Sequence, residues 1–176
     1  MTTAQVLSCQ LAAFLAALLA ASAAHKVFAF ARARQAVREF ARIPDFAAQP
    51  ALVASIAGEL LAAALLFVPA YRVLGALLAS LVLTVYLALI VRSLVSGRSD
   101  VDCGCSFGPA KHRLGAFEAG RNAVLVGLAL LAAASSAPGA GSIAASQVLA
   151  AGALVAVYAA LDQAMALQPM RRGTVL

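Results

Sequence analysis

The sequence predicts an all-α fold, a polytopic helical bundle that spans a membrane. Of its 176 residues, 64% are hydrophobic and only 11% are charged, whereas a soluble domain is about half apolar and about a quarter charged. Alanine and leucine dominate the chain, and both residues favour helix. In lipid a helix also satisfies its backbone hydrogen bonds within one segment. We therefore expect one integral membrane domain over residues 1–176, without a separate soluble domain.

Five stretches of the chain are predicted spans, because a helix needs ~20 mostly apolar residues to cross the hydrocarbon core. They cover residues about 4–24, 50–68, 73–95, 117–134 and 143–167. The first contains Ala21-Ser22-Ala23, which imitates a signal-peptide cleavage site. No Lys or Arg precedes its apolar run, so we expect a retained helix. Pro50 suits the first turn of the second span, and a segment rich in Pro, Gly and Ser predicts a turn before the fifth.

The segment 27–43 joins the first two predicted spans and alternates apolar residues with arginines. This pattern fits a basic helix at the membrane interface or a continuation of the first span. A solvated connector fits equally well, so the sequence leaves three alternatives here.

Basic residues predict the orientation of the chain. All 13 Lys and Arg except Arg72 lie in the first loop, between Arg92 and Arg121, or in the C-terminal tail. The positive-inside rule places these regions in the cytoplasm, so we expect an inner (cell) membrane protein with its N-terminus outside. The net charge of +6 does not indicate nucleic acid, because basic residues that flank apolar spans contact lipid headgroups.

Cys103 and Cys105 lie in the longest polar stretch, residues 97–115, in the run Asp102-Cys103-Gly104-Cys105. A disulfide at this spacing closes a small, somewhat strained ring, and strain makes it easier to reduce. Nearby cations, Lys111 and Arg113, favour the reactive thiolate, whereas Asp102 opposes it. On the orientation given above, the pair faces the cytoplasm.

Three interpretations of Cys103 and Cys105 are open: a reversible disulfide, two loop thiols without a function, or half of a metal site. We expect no metal, because His112 is the only other strong ligand nearby in the sequence. The third cysteine, Cys9, is expected near the outer face. A lone thiol is a poor two-electron carrier, so we do not expect Cys9 to act as a relay.

Glu59 and Arg121 lie inside predicted spans, where charge is costly and by default functional or paired. Glu59 is about 14 Å beyond Pro50 along a helix. It either accepts a proton during thiol chemistry or is a packing residue bonded to a neighbouring helix. Arg121, beside Asn122, needs a partner for its charge, and Asp102, Glu118 and Glu59 are candidates.

His25 and Lys26 lie at the inner end of the first predicted span. His25 can move protons near neutral pH. For Lys26 composition alone favours extension to the lipid headgroups. Both lie on the same predicted side as Glu59, Arg121 and the cysteine pair, which indicates a shared site.

Several of these motifs together resemble the methylamine utilisation protein MauE family. They are Asp102-Cys103-Gly104-Cys105 with Phe107-Gly108, then Leu114-Gly115, then Arg121-Asn122-Ala123-Val124-Leu125. Ser22-Ala23-Ala24-His25-Lys26 and Glu59 are also similar to the family pattern. The resemblance implies a multi-pass protein related to the DoxX-like bundles, with a four-helix core to which the fifth predicted span is added.

The resemblance also implies support of disulfide formation, or transfer of reducing equivalents, beside a thioredoxin-like partner during maturation of methylamine dehydrogenase. We therefore expect thiol–disulfide exchange through Cys103 and Cys105, with Glu59 catalytic and His25, Lys26, Asp102, Arg121 and Asn122 tuning charge. The alternatives are a quinone-linked thiol oxidase, although no quinone motif is present, a non-enzymatic assembly subunit of a membrane complex, and a transporter. A partner outside the cell conflicts with the predicted side of the pair, unless the loop moves, the topology is reversed or the partner is cytoplasmic.

Overall fold

The computed structural model describes residues 3–97, 116–135 and 142–172, and within these ranges every regular element is helical. The described residues form six α-helices: α1 (Thr3–Phe28), α2 (Phe30–Ala41), α3 (Asp45–Phe67), α4 (Arg72–Val95), α5 (Ala116–Ser135) and α6 (Ala145–Arg172). A short 3-10 turn, Pro69–Tyr71, joins α3 to α4. The predicted all-α fold is confirmed.

Five of the helices, α1, α3, α4, α5 and α6, are long and apolar enough to cross a membrane. Their outward faces carry large apolar side chains, such as Leu81, Val124 and Leu149, which are 60%, 63% and 76% exposed. Water disfavours such a surface, whereas lipid tolerates it. The prediction of a polytopic membrane bundle is therefore confirmed. The orientation of the bundle and its relation to DoxX-like proteins stay predictions.

Small residues let the helices of the bundle approach closely. α1 packs against α3, α5 and α6, and α4 packs between α3 and α5. Fully buried alanines line these contacts: Ala12, Ala16, Ala62, Ala76, Ala79, Ala129 and Ala132. A side chain at Gly75 would bring its Cβ to 2.7 Å from the backbone nitrogen of Leu66. The crossing of α3 and α4 therefore requires glycine at this position, as is common where membrane helices meet.

The segment after α1 forms a separate amphipathic helix, α2, that folds back on the bundle and contacts α3 and α4. Ala33, Ala36 and Phe40 are buried, and Phe40 packs against Ile90 of α4. Arg42 ends the helix in the left-handed conformation, with φ 55°. Of the three alternatives for segment 27–43, the structure therefore has a distinct helix, and its location at a membrane interface stays a prediction.

The second span begins five residues earlier than its predicted start at Pro50, which lies inside α3 and not in its first turn. Pro44 is extended and precedes the helix, and Asp45 lies in the first turn, where a carboxylate interacts favourably with the helix dipole. The prediction followed the apolar residues alone and was wrong at this boundary, because the helix continues beyond the apolar stretch.

Candidate functional site

Lys26 and Glu59 form an ion pair inside the bundle, joining the last turn of α1 to α3. Their residues are 4% and 0% exposed. The Nζ of Lys26 donates to Glu59 Oε1, to Ser22 Oγ at 3.0 Å and to the hydroxyl of Tyr86 at 3.0 Å. An ammonium group has three N–H donors, so these acceptors satisfy its charge without lipid headgroups. The expected extension of Lys26 to the headgroups is therefore wrong.

Hydroxyl groups from three helices complete the surroundings of Glu59. Its Oε1 also accepts hydrogen bonds from Ser22 Oγ at 3.1 Å and from the Tyr86 hydroxyl at 2.7 Å. The Oγ of Ser55 lies 2.6 Å from the Tyr86 hydroxyl. Because Tyr86 gives its proton to Glu59, Ser55 donates to Tyr86. We name Ser22, Lys26, Ser55, Glu59 and Tyr86 the polar cluster.

One atom of the polar cluster differs from the others in its bonding. The second carboxylate oxygen of Glu59, Oε2, is buried and has no hydrogen-bond partner among the described residues. A buried acceptor without a partner carries a desolvation cost of about 1–3 kcal/mol. A proton or a polar molecule at Oε2 would remove this cost.

Residue spacing explains how α1 and α3 supply four of the five residues of the polar cluster. Ser22 and Lys26 are four residues apart on α1, and Ser55 and Glu59 are four residues apart on α3. Residues at this spacing share one face of a helix. Each helix therefore presents a hydroxyl and a charge to the same point. The sequence analysis missed Ser55 and Tyr86, although a hydroxyl one turn before Glu59 is a signal that could have identified Ser55.

Arg121 of α5 forms a second buried ion pair, with Asp162 of α6. The two side chains are 10% and 3% exposed. The guanidinium also lies over the ring of Tyr158, 5.3 Å from its centroid, a cation–π arrangement. Asp162 was not among the carboxylates that we expected to partner Arg121. The pair links α5 to α6, which packs against α1.

A small cavity of about 40 Å³ connects the polar cluster with Arg121. Its lining includes Ser22, Glu59, Tyr86, Arg121 and Asn122. A cavity of this size has room for ordered water where polar side chains line it. The structure therefore brings Glu59, Arg121 and Asn122 to one space, with Lys26 bonded to its wall, as the prediction of a shared site requires.

Of the remaining predicted residues, the structure describes His25 only. His25 is half-buried, and its carbonyl accepts the first hydrogen bond after α1, from Ala29 N at 3.0 Å. Asp102, Cys103 and Cys105 lie outside the described residues, between Gly97 and Ala116. Their roles stay predictions.

The helix ends that flank the cysteine segment lie on the side of the bundle that also holds Lys26. Ile90, near the end of α4, and Phe40 of α2 pack against Ala119, in the first turn of α5. α4 and α5 are therefore antiparallel at this point. Arg121 lies about 8 Å along α5 from its first residue, Ala116.

A different buried contact lies at the opposite end of the bundle. Arg72, the first residue of α4, is fully buried. It donates to the Leu66 carbonyl at 3.3 Å and to Cys9 Sγ at 3.4 Å. Cys9 is buried and lies about 25 Å along α1 from Lys26. Arg72 thus ties α1, α3 and α4 together and does not extend from a loop towards headgroups.

Comparisons with known proteins agree with the motifs. A family model described as methylamine utilisation protein MauE matches residues 4–135. The methylamine utilization protein MauE of Paracoccus versutus is 35% identical over 124 residues, which are 70% of this chain and 67% of that protein. No solved structure matches the chain at a significant level.

Proposed function

The chain belongs to the methylamine utilisation protein MauE family, and on that premise we propose that it is a membrane thiol–disulfide redox protein. Cys103 and Cys105 exchange electrons with a thioredoxin-like partner. One observation carries the proposal beyond the family. Glu59 of the buried ion pair, the hydroxyl residues Ser22 and Tyr86, and Arg121 line one cavity. The cavity lies on the side of the bundle where α4 ends and α5 begins.

The chemistry of the pair needs a group that handles protons. Exchange begins when the thiolate of one cysteine attacks the disulfide of the partner. A mixed disulfide forms, and the second cysteine then attacks it. The pair ends oxidised and the partner ends as a dithiol. Two thiol protons leave the pair in this direction and return in the reverse direction. In the proposal, Glu59 takes up and returns one proton through its buried carboxylate.

The polar cluster is costly to maintain in a membrane, and this cost favours a functional role over a purely structural one. A buried ion pair is often no more stabilising than apolar residues of similar volume. Charged groups within spans are rare and mark proton or substrate pathways. Lys26 and Tyr86 hold Glu59 in place. Arg121 and Asn122 form the wall of the cavity towards α5, and His25 and Asp102 influence the charge nearby.

The name of a relative supports a proposal for the pathway. The related protein of Paracoccus versutus is named a methylamine utilization protein. We therefore propose that this chain serves the maturation of an exported enzyme of the methylamine dehydrogenase type. The distribution of basic residues favours an inner-membrane location with the cysteine pair in the cytoplasm. Electrons then pass between the pair and an exported client, in either direction, through loop movement or through a cytoplasmic partner, unless the topology is reversed.

Trapping of a mixed disulfide tests the exchange directly. In cells that carry the Cys105→Ser variant, Cys103 is expected to stay joined to the partner, because no second thiol resolves the intermediate. The adduct should separate on reduction and be absent from the Cys103→Ser/Cys105→Ser variant. Cys9→Ser is the matched control, since Cys9 is buried far from the site, and in the Cys105→Ser background it should leave the adduct unchanged. Absence of any adduct, with both thiols reduced under all conditions, would contradict the proposal.

A further inference from the structure

The small cavity that Glu59 and Arg121 line lies beside a buried oxygen whose bonding is incomplete. The Oε1 of Glu59 accepts three hydrogen bonds, and their donors are Lys26, Ser22 and Tyr86. The Oε2 is buried and accepts none from the described residues. Because the three donors all use Oε1, Oε2 is the oxygen of Glu59 that is available to a molecule in the cavity. Buried polar atoms are normally satisfied by protein or by ordered water.

The lining of the small cavity changes from polar to apolar along the bundle. On α1, α4 and α5 a leucine of the lining lies three or four residues, about one helical turn, from a polar residue of the lining. The end of α4 and the start of α5 lie on the same side of the bundle as Lys26 at the end of α1, so all three leucines lie on the membrane-centre side of their polar neighbours. A polar molecule is therefore held at one end of the cavity. The pairs are Ser22 with Leu18, Tyr86 with Leu83, and Arg121 with Leu125.

The volume and the charges around the small cavity select water as its occupant. The volume is about 40 Å³, and one water needs about 10–15 Å³, so there is room for a few water molecules. The Lys26–Glu59 and Arg121–Asp162 pairs are each neutral as a pair. An added cation or anion would therefore bring an uncompensated charge into a medium of low dielectric constant, which is costly. A water molecule is neutral, and it can donate to a carboxylate and accept from an N–H group.

We propose that the small cavity is a water-binding site, in which an ordered water donates to Glu59 Oε2 and accepts from the side-chain amide of Asn122. Asn122 is 4% exposed and lines the cavity, and its amide has two N–H donors. Within the described residues α3 and α5 do not pack directly against each other. The water therefore bridges two helices that lack a contact of their own.

The water site goes beyond the proposed function and does not depend on it. Water at Oε2 gives the buried carboxylate of Glu59 a neighbour with which it can exchange a proton. If the protein exchanges thiols and disulfides, this water is the group through which Glu59 takes up and returns its proton. If it does not, the water still satisfies Oε2 and connects α3 to α5. The presence of the water and the thiol chemistry are therefore tested by separate experiments.

Radiolytic footprinting of the purified protein tests for the water directly. A short X-ray pulse turns bound water into hydroxyl radicals, which oxidise the side chains that the water contacts, and mass spectrometry locates the oxidised residues. Leu83 and Leu125 are buried and line the small cavity. Leu52 and Leu66 are fully buried and are not part of its lining. We expect oxidation of the first two leucines and not of the last two. Oxidation of none of the four, or of all four equally, would overturn the inference.

Two variants at Asn122 test the donor of the water site. Asn122→Leu removes the amide, so oxidation of Leu83 and Leu125 should fall about fivefold, the factor that corresponds to one net hydrogen bond. Asn122→Ser is the matched control, since its hydroxyl can still donate, and it should retain the oxidation of the wild type. Resistance of the buried Cys9 to a maleimide shows that each variant is folded. Unchanged oxidation in Asn122→Leu, or an equal loss in both variants, would overturn the inference, and the wild type and Asn122→Ser decide it if Asn122→Leu does not fold.

A change of salt separates water from a hydrated cation at Glu59. The footprint of the wild type is recorded in sodium chloride and in choline chloride, whose cation is too large for the small cavity. Oxidation of Leu83 and Leu125 should be the same in both, because a neutral water needs no added ion. Oxidation that requires sodium would show that a cation occupies the site and would overturn the inference.

Discussion

The Lys26–Glu59 ion pair should show strong energetic coupling in a double-mutant cycle. Both residues are almost completely buried. Lys26→Met leaves the carboxylate without its cation, and Glu59→Leu leaves the ammonium without its anion. Removal of one partner of a buried pair typically costs about 3–5 kcal/mol, so additive effects would sum to about 6–10 kcal/mol.

The double variant Lys26→Met/Glu59→Leu should lose much less stability than that sum. It contains no buried charge at the site, and apolar replacement of a whole buried pair is often neutral. Its remaining cost comes from hydroxyls that lose their partners, of which Ser22 and Tyr86 are the affected groups. Such a loss costs about 1–3 kcal/mol. We therefore expect a coupling energy of at least about 3 kcal/mol.

Alkylation of Cys9 gives a measure of unfolding for this cycle. The chain contains three cysteines, and Cys9 is fully buried. In a Cys103→Ser/Cys105→Ser background, modification of Cys9 by a maleimide in detergent therefore reports opening of the bundle. The free energy of unfolding follows from the fraction modified as a function of denaturant. Additive losses in the double variant would refute the conclusion that Lys26 and Glu59 satisfy each other's charge.

Further predictions concern packing and backbone, and the same alkylation assay checks each of them. Gly75→Ala should destabilise the bundle by about 1–3 kcal/mol, because the added Cβ would meet the backbone of α3. Gly127→Ala is the control and should be neutral or stabilising, because its Cβ meets nothing within 4 Å. Equal effects of the two changes on stability would contradict the close crossing of α3 and α4. Asp162→Asn should cost about 3–5 kcal/mol, since it leaves the Arg121 charge buried, and an unchanged stability would show that the pair is not formed. Arg42→Gly should stabilise the protein by about 1 kcal/mol, because an L side chain is disfavoured in the left-handed conformation, and destabilisation would show that the Arg42 side chain has a role that outweighs its backbone.

The spans could be predicted because each is a long apolar run, and lipid imposes helix on such a run. The start of α3 could not, since Asp45 and Phe46 continue the helix beyond the apolar stretch. Helix ends outside the hydrocarbon depend on caps and local contacts, not on hydropathy. The prediction therefore placed the start of the span at Pro50, inside the helix.

The polar site could be predicted in its members but not in its pairing. Glu59 and Arg121 stood out because charge is rare within spans. The direction of Lys26 depends on which face of α3 meets α1, and hydropathy contains no information about that contact. The same limit hid Asp162, which is 41 residues from Arg121 in the sequence. The burial of Arg72 could not be predicted for the same reason, since its partners Leu66 and Cys9 lie on two other helices.

The redox state of Cys103 and Cys105 in membranes tests the central claim most directly. Membranes are treated with a maleimide before and after reduction, and modified thiols are counted by mass, with Cys9 expected to stay unmodified in the folded protein because it is buried. The account predicts that Cys103 and Cys105 become reactive together after reduction and together resist modification after oxidation. Modification of both cysteines to the same extent under oxidising and reducing conditions would contradict it.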